Sequence, residues 1–303
     1  MPVLARKTAI LLVCMLIVFV LPVMARATDT LSTIRERKTI IIAHRESSIP
    51  FSYLDGHQQA VGYAIDLCMK VVEAVRRELK LPVLAVRYIP VTPANRLQLI
   101  AGGDADMECG STTNTAERKR QVDFSIAYFI ASAKMVVRTD SGIKNWSDLR
   151  DKTVVTTKGT TNAKTLADRG QIRSLNLKLL ESKDHAEGFS MVEQRVAAAF
   201  AMDDVLLYGL KASAKNPADF QVTGDSLSTE PYAIVIRKND PAFKQIVNRE
   251  LSRLMLDGEI HAIYEKWFQR PIPPQAINLN MPMGHLLRSS IRFPVDDVAD
   301  LPQ

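Results

Sequence analysis

The sequence predicts an α/β fold made of two similar-sized units. Three observations carry that prediction. The chain has 303 residues, enough for about two domains at roughly 150 residues each. Its composition is globular, 47% hydrophobic and 24% charged, which excludes a disordered chain, a collagen-like repeat and a polytopic membrane protein. Short apolar runs alternate with helical patterns, and they do so in two cycles.

The N-terminus reads as a leader. Arg6 and Lys7 precede an almost wholly apolar run from Thr8 to Pro22, and Ala25-Arg26-Ala27 puts small residues where a signal peptidase reads. This is the pattern of a cleaved secretory signal over residues 1–27. A membrane anchor is the competing reading, but about 15 apolar residues fall short of the ~20 a spanning helix needs. Cys14 follows Val13 inside the apolar run, not at a lipoprotein cut site. Without the leader the chain keeps 36 basic and 33 acidic residues, a net of +3. No long basic run points to a nucleic-acid partner. Cys68 and Cys109 are left in an oxidising compartment; two cysteines alone leave their pairing open.

The elements follow in order. Thr39 to His44 reads as a buried strand. Ala64 to Lys80 reads as a helix with Cys68, Val71, Val72, Val75 and Leu79 on one face and basic residues in its last turn. Val83 to Ile89 is a second strand, Asn95 to Ala101 a helix stopped by Gly102-Gly103, and Ala105 to Cys109 a third strand. This is the order of a parallel sheet. A second cycle has strands at Ala133 to Val137, Lys152 to Thr157, Leu177 to Leu180 and Ala197 to Met202, with helices at Thr161 to Asp168 and Asp203 to Ser213. Tyr232 to Ile236 is a return strand. Pro241 opens a helix to Asp257, and another runs from Glu259 to Phe268. From Pro271 to Gln303 the chain is Pro-rich and reads as an irregular tail laid on the surface. The closing helices suit a first unit completed by the C-terminus, although periodicity alone does not establish that interleaving.

Enzyme motifs are missing from the sequence. No phosphate loop, GxGxxG or GxSxG occurs. The five histidines, His44, His57, His185, His261 and His285, are far apart and form no HExxH or CxxC pairing. Asp203-Asp204 is a carboxylate pair, but neighbours on a helix point about 100° apart and do not share one acid/base site. No cofactor and no metal are expected.

Four polar clusters sit at expected strand ends, where open α/β sheets place ligands. Arg45 follows the first strand and either meets an anion or lies on the surface. Gly110-Ser111-Thr112-Thr113, with Glu117-Arg118 beyond, is either an anion cradle with an arginine fork or an ordinary helix cap. Gly159-Thr160-Thr161 is a second candidate cradle. Asp203 either holds an ammonium or caps its helix. Together they suggest a zwitterionic small molecule held in a cleft.

The phrases HRESSIPFSYLDG, VGYAIDLC, ECGSTTNTAERKRQVDFS, TTKGTT, SKDH, AMDDVLLYG, RKNDPAF and YEKWFQRPIPP resemble the periplasmic solute-binding proteins of polar amino-acid ABC transporters, in particular the glutamate/aspartate-binding kind. They occur in family order across nearly all of the chain after the leader. The resemblance implies a bilobal periplasmic-binding-protein fold of type II. Lobe one would be 28–127 plus 231–303, lobe two 132–228, and the hinges would lie near 128–131 and 229–230. It implies a monomeric, non-enzymatic receptor that closes on L-glutamate or L-aspartate and delivers it to an inner-membrane permease and its ATPase.

By position, the resemblance assigns Arg118 to the ligand α-carboxylate, assisted by Thr113 and Thr161. It assigns Ser111 and Asp203 to the α-ammonium, and Arg45, Arg96 and His185 to a cationic end for the side-chain carboxylate. One position departs from the pattern. The family often has a hydroxyl residue three before the arginine matched by Arg96, and here that residue is Pro93. Losing a hydrogen bond to a charged group costs about 1.5–3 kcal/mol, enough to shift the Glu/Asp preference. Two other readings are weighed. A periplasmic dehydratase of a cyclic carboxylic acid on the same scaffold would have little use for an ammonium partner at Asp203. A receptor for a neutral side chain such as glutamine would leave the cationic end partly unpaired.

Overall fold

The computed structural model describes residues 29–295 except Arg173; the leader expected over 1–27 lies outside the described residues. Helix α1 (Thr30–Arg37) precedes strand β1 (Thr39–His44) and a small antiparallel sheet of Ser47–Ser48, Ser52–Leu54 and Ala60–Val61. Helix α2 (Tyr63–Glu78), strand β2 (Ala85–Pro90), helix α3 (Arg96–Gly102) and strands β3 (Met107–Cys109) and β4 (Val122–Phe124) complete the first part. The second part runs β5 (Phe129–Arg138), β6 (Thr153–Thr157), α4 (Thr161–Ile172), β7 (Lys178–Ser182), α5 (His185–Glu193), β8 (Ala199–Asp203), α6 (Asp204–Ser213) and β9 (Phe220–Thr223). The chain returns through β10 (Thr229–Tyr232) and β11 (Val235–Arg237) and ends in α7 (Pro241–Leu256), α8 (Glu259–Phe268) and α9 (His285–Arg292).

The first sheet has the order β2-β1-β3-β11-β4. The second has the order β7-β6-β8-β5-β9, with β10 paired to the first four residues of β5. Both sheets are mixed: the three strands read as parallel in the first unit are parallel, and the strands arriving from the other sheet run against their neighbours. β1 is parallel to β2 and β3, and β6 to β7 and β8. β11 is antiparallel to β3 and β4, and β5 to β8 and β9. The physical reason is the path of the chain. It crosses between sheets on β5 and returns on β10, so a strand arriving from the other sheet enters from the opposite end. The apolar run Tyr232 to Ile236 is accordingly split between β10 and β11.

Helix α2 buries Leu67, Cys68, Val71, Val72 and Val75 against Ile40 and Ile42 of β1 and Val247 and Leu251 of α7. At the two crossings a knot of rings replaces aliphatic packing. Phe51 and Phe268 lie 4.8 and 5.3 Å from Phe129, and Phe51 lies 5.1 Å from Tyr232. Each such pair adds about 0.5–1.5 kcal/mol beyond its area burial, so the crossing point is well held.

Besides α9 in the tail, two helices escaped the sequence reading. Asp29 caps α1 by accepting the Ser32 N–H at 2.7 Å. Asp184 caps α5 by accepting the Glu187 N–H at 2.9 Å. Both helices are too short for periodicity to reveal, and their signal was the cap chemistry. The tail is also not wholly irregular. Leu287 and Ile291, one turn apart on α9, are buried, and the Tyr264 hydroxyl donates to the Met281 carbonyl at 3.3 Å.

Cys68 and Cys109 form a disulfide that closes a span of 41 residues and ties α2 to the end of β3. In the chain-entropy account a loop of that length contributes about 4 kcal/mol. Cys68→Ala/Cys109→Ala is therefore expected to melt about 10 °C lower by circular dichroism; an unchanged melting temperature would show that the bond contributes nothing.

Candidate functional site

The polar clusters lie at the C-terminal ends of strands of both sheets. β1 delivers Arg45, whose backbone N–H is held by Ser52 Oγ at 2.9 Å. β3 delivers the Gly110–Thr113 turn. A Cβ at Gly110 would sit 2.3 Å from Glu108 Oε1, so the turn needs glycine there. β6 leads through Gly159 into α4 with Thr161 at its start, β7 leads to His185 at the start of α5, and β8 ends on Asp203. Arg96 stands at the start of α3.

All eight sequence-predicted residues converge. Arg96, Ser111, Thr113, Thr161, His185 and Asp203 share one tight cavity of about 10 Å³, room for one water molecule at most. Arg45 Nη2 reaches His185 Nε2 at 3.4 Å. Arg118 faces a wider polar recess of about 510 Å³ beside Thr113 and Thr161. It donates from Nη1 to the Thr113 carbonyl at 2.9 Å and from Nη2 to the Gly159 carbonyl at 3.1 Å. It thereby holds one acceptor from the first part of the chain and one from the second.

The two parts touch at Gly159. Its φ is +79°, and a Cβ there would lie 2.7 Å from the Pro93 carbonyl oxygen and the Ala94 Cα. Pro93 thus contributes backbone to the cleft wall. Neighbouring Thr92 supplies no substitute hydroxyl, because it turns to Asn95 Oδ1 at 3.2 Å.

Desolvation dominates the electrostatics. Burial, then the nearby Arg96, lower Arg45 to about 9. Burial and Arg96 lower Arg118 to about 10. Both stay protonated at neutral pH. Burial, then Glu230, raise Asp203 to about 7, against hydrogen bonds from Asn162 and Tyr232. Asn162 Nδ2 donates to Asp203 Oδ1 at 2.7 Å and the Tyr232 hydroxyl donates to Oδ2.

His185 sits among the arginines of the expected cationic end. Burial, then Arg45 and Arg96, push its pKa well below the usual value, so the ring is neutral. Arginine has no acceptor, so Nε2 accepts from Arg45 and the proton sits on Nδ1, 3.0 Å from Thr157 Oγ1.

Three polar atoms of the two neighbouring arginines, Arg45 Nε, Arg45 Nη1 and Arg96 Nε, are buried without a hydrogen-bond partner. Buried N–H groups of that kind are costly to leave unmade. Two buried acids were missed by the sequence reading. Glu108, within ECGSTT, is fully buried and accepts the Thr112 hydroxyl at 2.7 Å. Glu230, on β10, is 2% exposed and accepts hydroxyls from Thr113 and Thr161. The signal for Glu108 was an acid embedded in an apolar strand, which needs a partner once buried; Glu230 stands between Thr229 and Pro231 and carried no such signal.

Two sheets facing a cleft lined by buried arginines and carboxylates define a bilobal amino-acid-binding fold. The chain belongs to the bacterial extracellular solute-binding proteins, family 3, whose pattern matches residues 40–270. It is 45% identical to the L-glutamate/L-aspartate-binding protein of Pseudomonas aeruginosa over 92% of this chain and 93% of that one. It is 38% identical to the glutamate/aspartate import solute-binding protein of Escherichia coli over 89% of each. Among solved structures it resembles an ancestral amino-acid-binding protein that is a precursor of cyclohexadienyl dehydratase. The TM-score is 0.67 at 29% identity, covering 78% of this chain and 99% of that one. The curated relatives are solute-binding proteins, and this chain is a binding protein rather than an enzyme.

Proposed function

We propose that this is the periplasmic receptor of an ABC importer, that it binds L-glutamate or L-aspartate in the cleft, and that it delivers the ligand to an inner-membrane permease with its ATPase. The observation that carries the reading is the set of unpartnered N–H groups on buried Arg45 and Arg96, set apart from a second arginine fork at Arg118. Two arginine sites suit two carboxylates, and Asp203 supplies the anion for an ammonium. The names of the relatives point the same way.

In this reading Arg118, with Thr113 and Thr161, takes the α-carboxylate. Ser111 and Asp203 take the ammonium, and Arg45, Arg96 and His185 take the side-chain carboxylate. A carboxylate beside His185 neutralises the arginine field and raises its proton affinity. A cavity of about 10 Å³ is far smaller than an amino acid, so admission requires the lobes to part about the hinge strands β5 and β10. The lobes are 28–127 with 231–303, and 132–228. The secretory leader places the receptor in the periplasm, and it works as a monomer.

Calorimetric titration of residues 28–303, refolded to strip ligand, tests the proposal. Saturable 1:1 heat with L-glutamate or L-aspartate, and far weaker heat with L-glutamine, is expected. No heat with any of the three would overturn it and turn the search to cyclic carboxylic acids.

A further inference from the structure

One carboxylate in the cleft has no place in the scheme above. Glu230 lies on β10, one of the two strands on which the chain crosses between sheets. Its Oε2 accepts the Thr113 hydroxyl at 2.8 Å and the Thr161 hydroxyl at 2.7 Å, and its Oε1 accepts the Ser228 hydroxyl. Thr113 follows β3 of the first sheet and Thr161 opens α4 of the second. A single oxygen of the crossing strand therefore gathers one hydroxyl from each side of the cleft.

We infer that Glu230 is a positioning residue for ligand binding: its carboxylate clasps Thr113 and Thr161 together when the cleft is closed and aims both at the ligand. The inference rests on the receptor reading and deepens it. Each hydroxyl has one proton, and both protons are spent on Glu230. The ligand carboxylate is then met by Arg118 and by main-chain N–H groups of the two threonines. The first N–H groups of α4 have no partner within the helix. On the Thr113 turn the paired groups are the Asn114 N–H, donating to the Pro231 carbonyl, and the Ala233 N–H, donating to the Thr112 carbonyl. Those two bonds flank Thr113 and fix its peptide against β10, the strand that carries Glu230. The hydroxyls orient, and the backbone binds.

The clasp exists only when both sides are together, so its loss acts on release of ligand. It acts alike on every α-amino acid the protein binds, since the side-chain end is elsewhere. Glu230→Ala removes the two hydrogen bonds of the clasp together with the one from Ser228. Its expected effect is about a 10- to 100-fold weaker Kd, mostly through a faster off-rate, with the glutamate-to-aspartate ratio unchanged. Glu230→Gln keeps an oxygen acceptor and is expected to recover most of the loss. Thr161→Val in the Glu230→Ala background is expected to add little, because the two act as one unit.

The experiment is titration and stopped-flow release of L-glutamate and L-aspartate for wild type, Glu230→Ala, Glu230→Gln, Thr161→Val and the Glu230→Ala/Thr161→Val double variant. If wild type binds neither amino acid, the receptor reading falls and takes the clasp with it. If wild type binds and Glu230→Ala binds equally well, only the clasp is overturned. Additive losses in the double variant, or a glutamine variant as weak as the alanine one, also overturn it. If Glu230→Ala does not fold, the glutamine variant and Thr161→Val carry the same comparison.

Discussion

Arg118→Ala is expected to abolish binding of every amino acid the protein takes. Arg118 is 8% exposed and has five N–H donors in a rigid fork. Two of its donors hold the Thr113 and Gly159 carbonyls. Truncation removes the fork proposed for the shared α-carboxylate and unties those carbonyls across the cleft. It also removes a positive charge near Glu230, whose own charge favours the charged guanidinium. Truncating one partner of a buried, hydrogen-bonded charge pair costs about 2–5 kcal/mol or more, and about 4 kcal/mol is a thousandfold in Kd. Lysine is not expected to rescue, because a point charge cannot hold two carbonyls and a carboxylate at once. Titration with L-glutamate reads the result, and normal affinity in the alanine variant would remove Arg118 from the site.

Arg45 has the next largest effect, of a different kind. Arg45→Met is expected to cost dicarboxylates about 30- to 1,000-fold in Kd, the range for a buried charge partner lost, while changing L-glutamine binding little. Equal loss for both ligands would sink the assignment. The same variant is expected to melt no lower than wild type without ligand. The sign follows from the lowered pKa. Folding disfavours the charged guanidinium, so the cost is fully present below about pH 9 and fades as pH rises toward the unfolded value. With the proposed role, Arg45 would trade stability for binding, a common pattern where a group serves function.

The residues differ in how far local sequence exposed them. β1, α2, α7 and α8 were legible because each repeats its own period over enough residues. Arg45, Ser111, Thr113, Thr161 and Asp203 stood out because each follows an apolar strand, where a polar residue has few structural uses. Arg118 stood out as a fork beyond the Gly110–Thr113 cluster, whereas Arg96 and His185 needed the motif around them. Helix α9 was hidden by its Pro-rich flanks. Glu108 was passed over as a single acid in an apolar strand, and Glu230 as an acid between Thr229 and Pro231.

Chain-local physics therefore determined the alternation of strands and helices, the places where the chain turns, and the polar tips of the strands, since periodicity and turn chemistry act between near neighbours. Only the tertiary structure decided that the sheets are mixed, that Cys68 meets Cys109, that His185 is neutral, and that Glu230 collects two hydroxyls. The reason is distance along the chain. Glu230 lies 117 residues from Thr113 and 69 from Thr161. No local pattern encodes which buried acid will meet which donor until the two crossing strands bring them to one cleft.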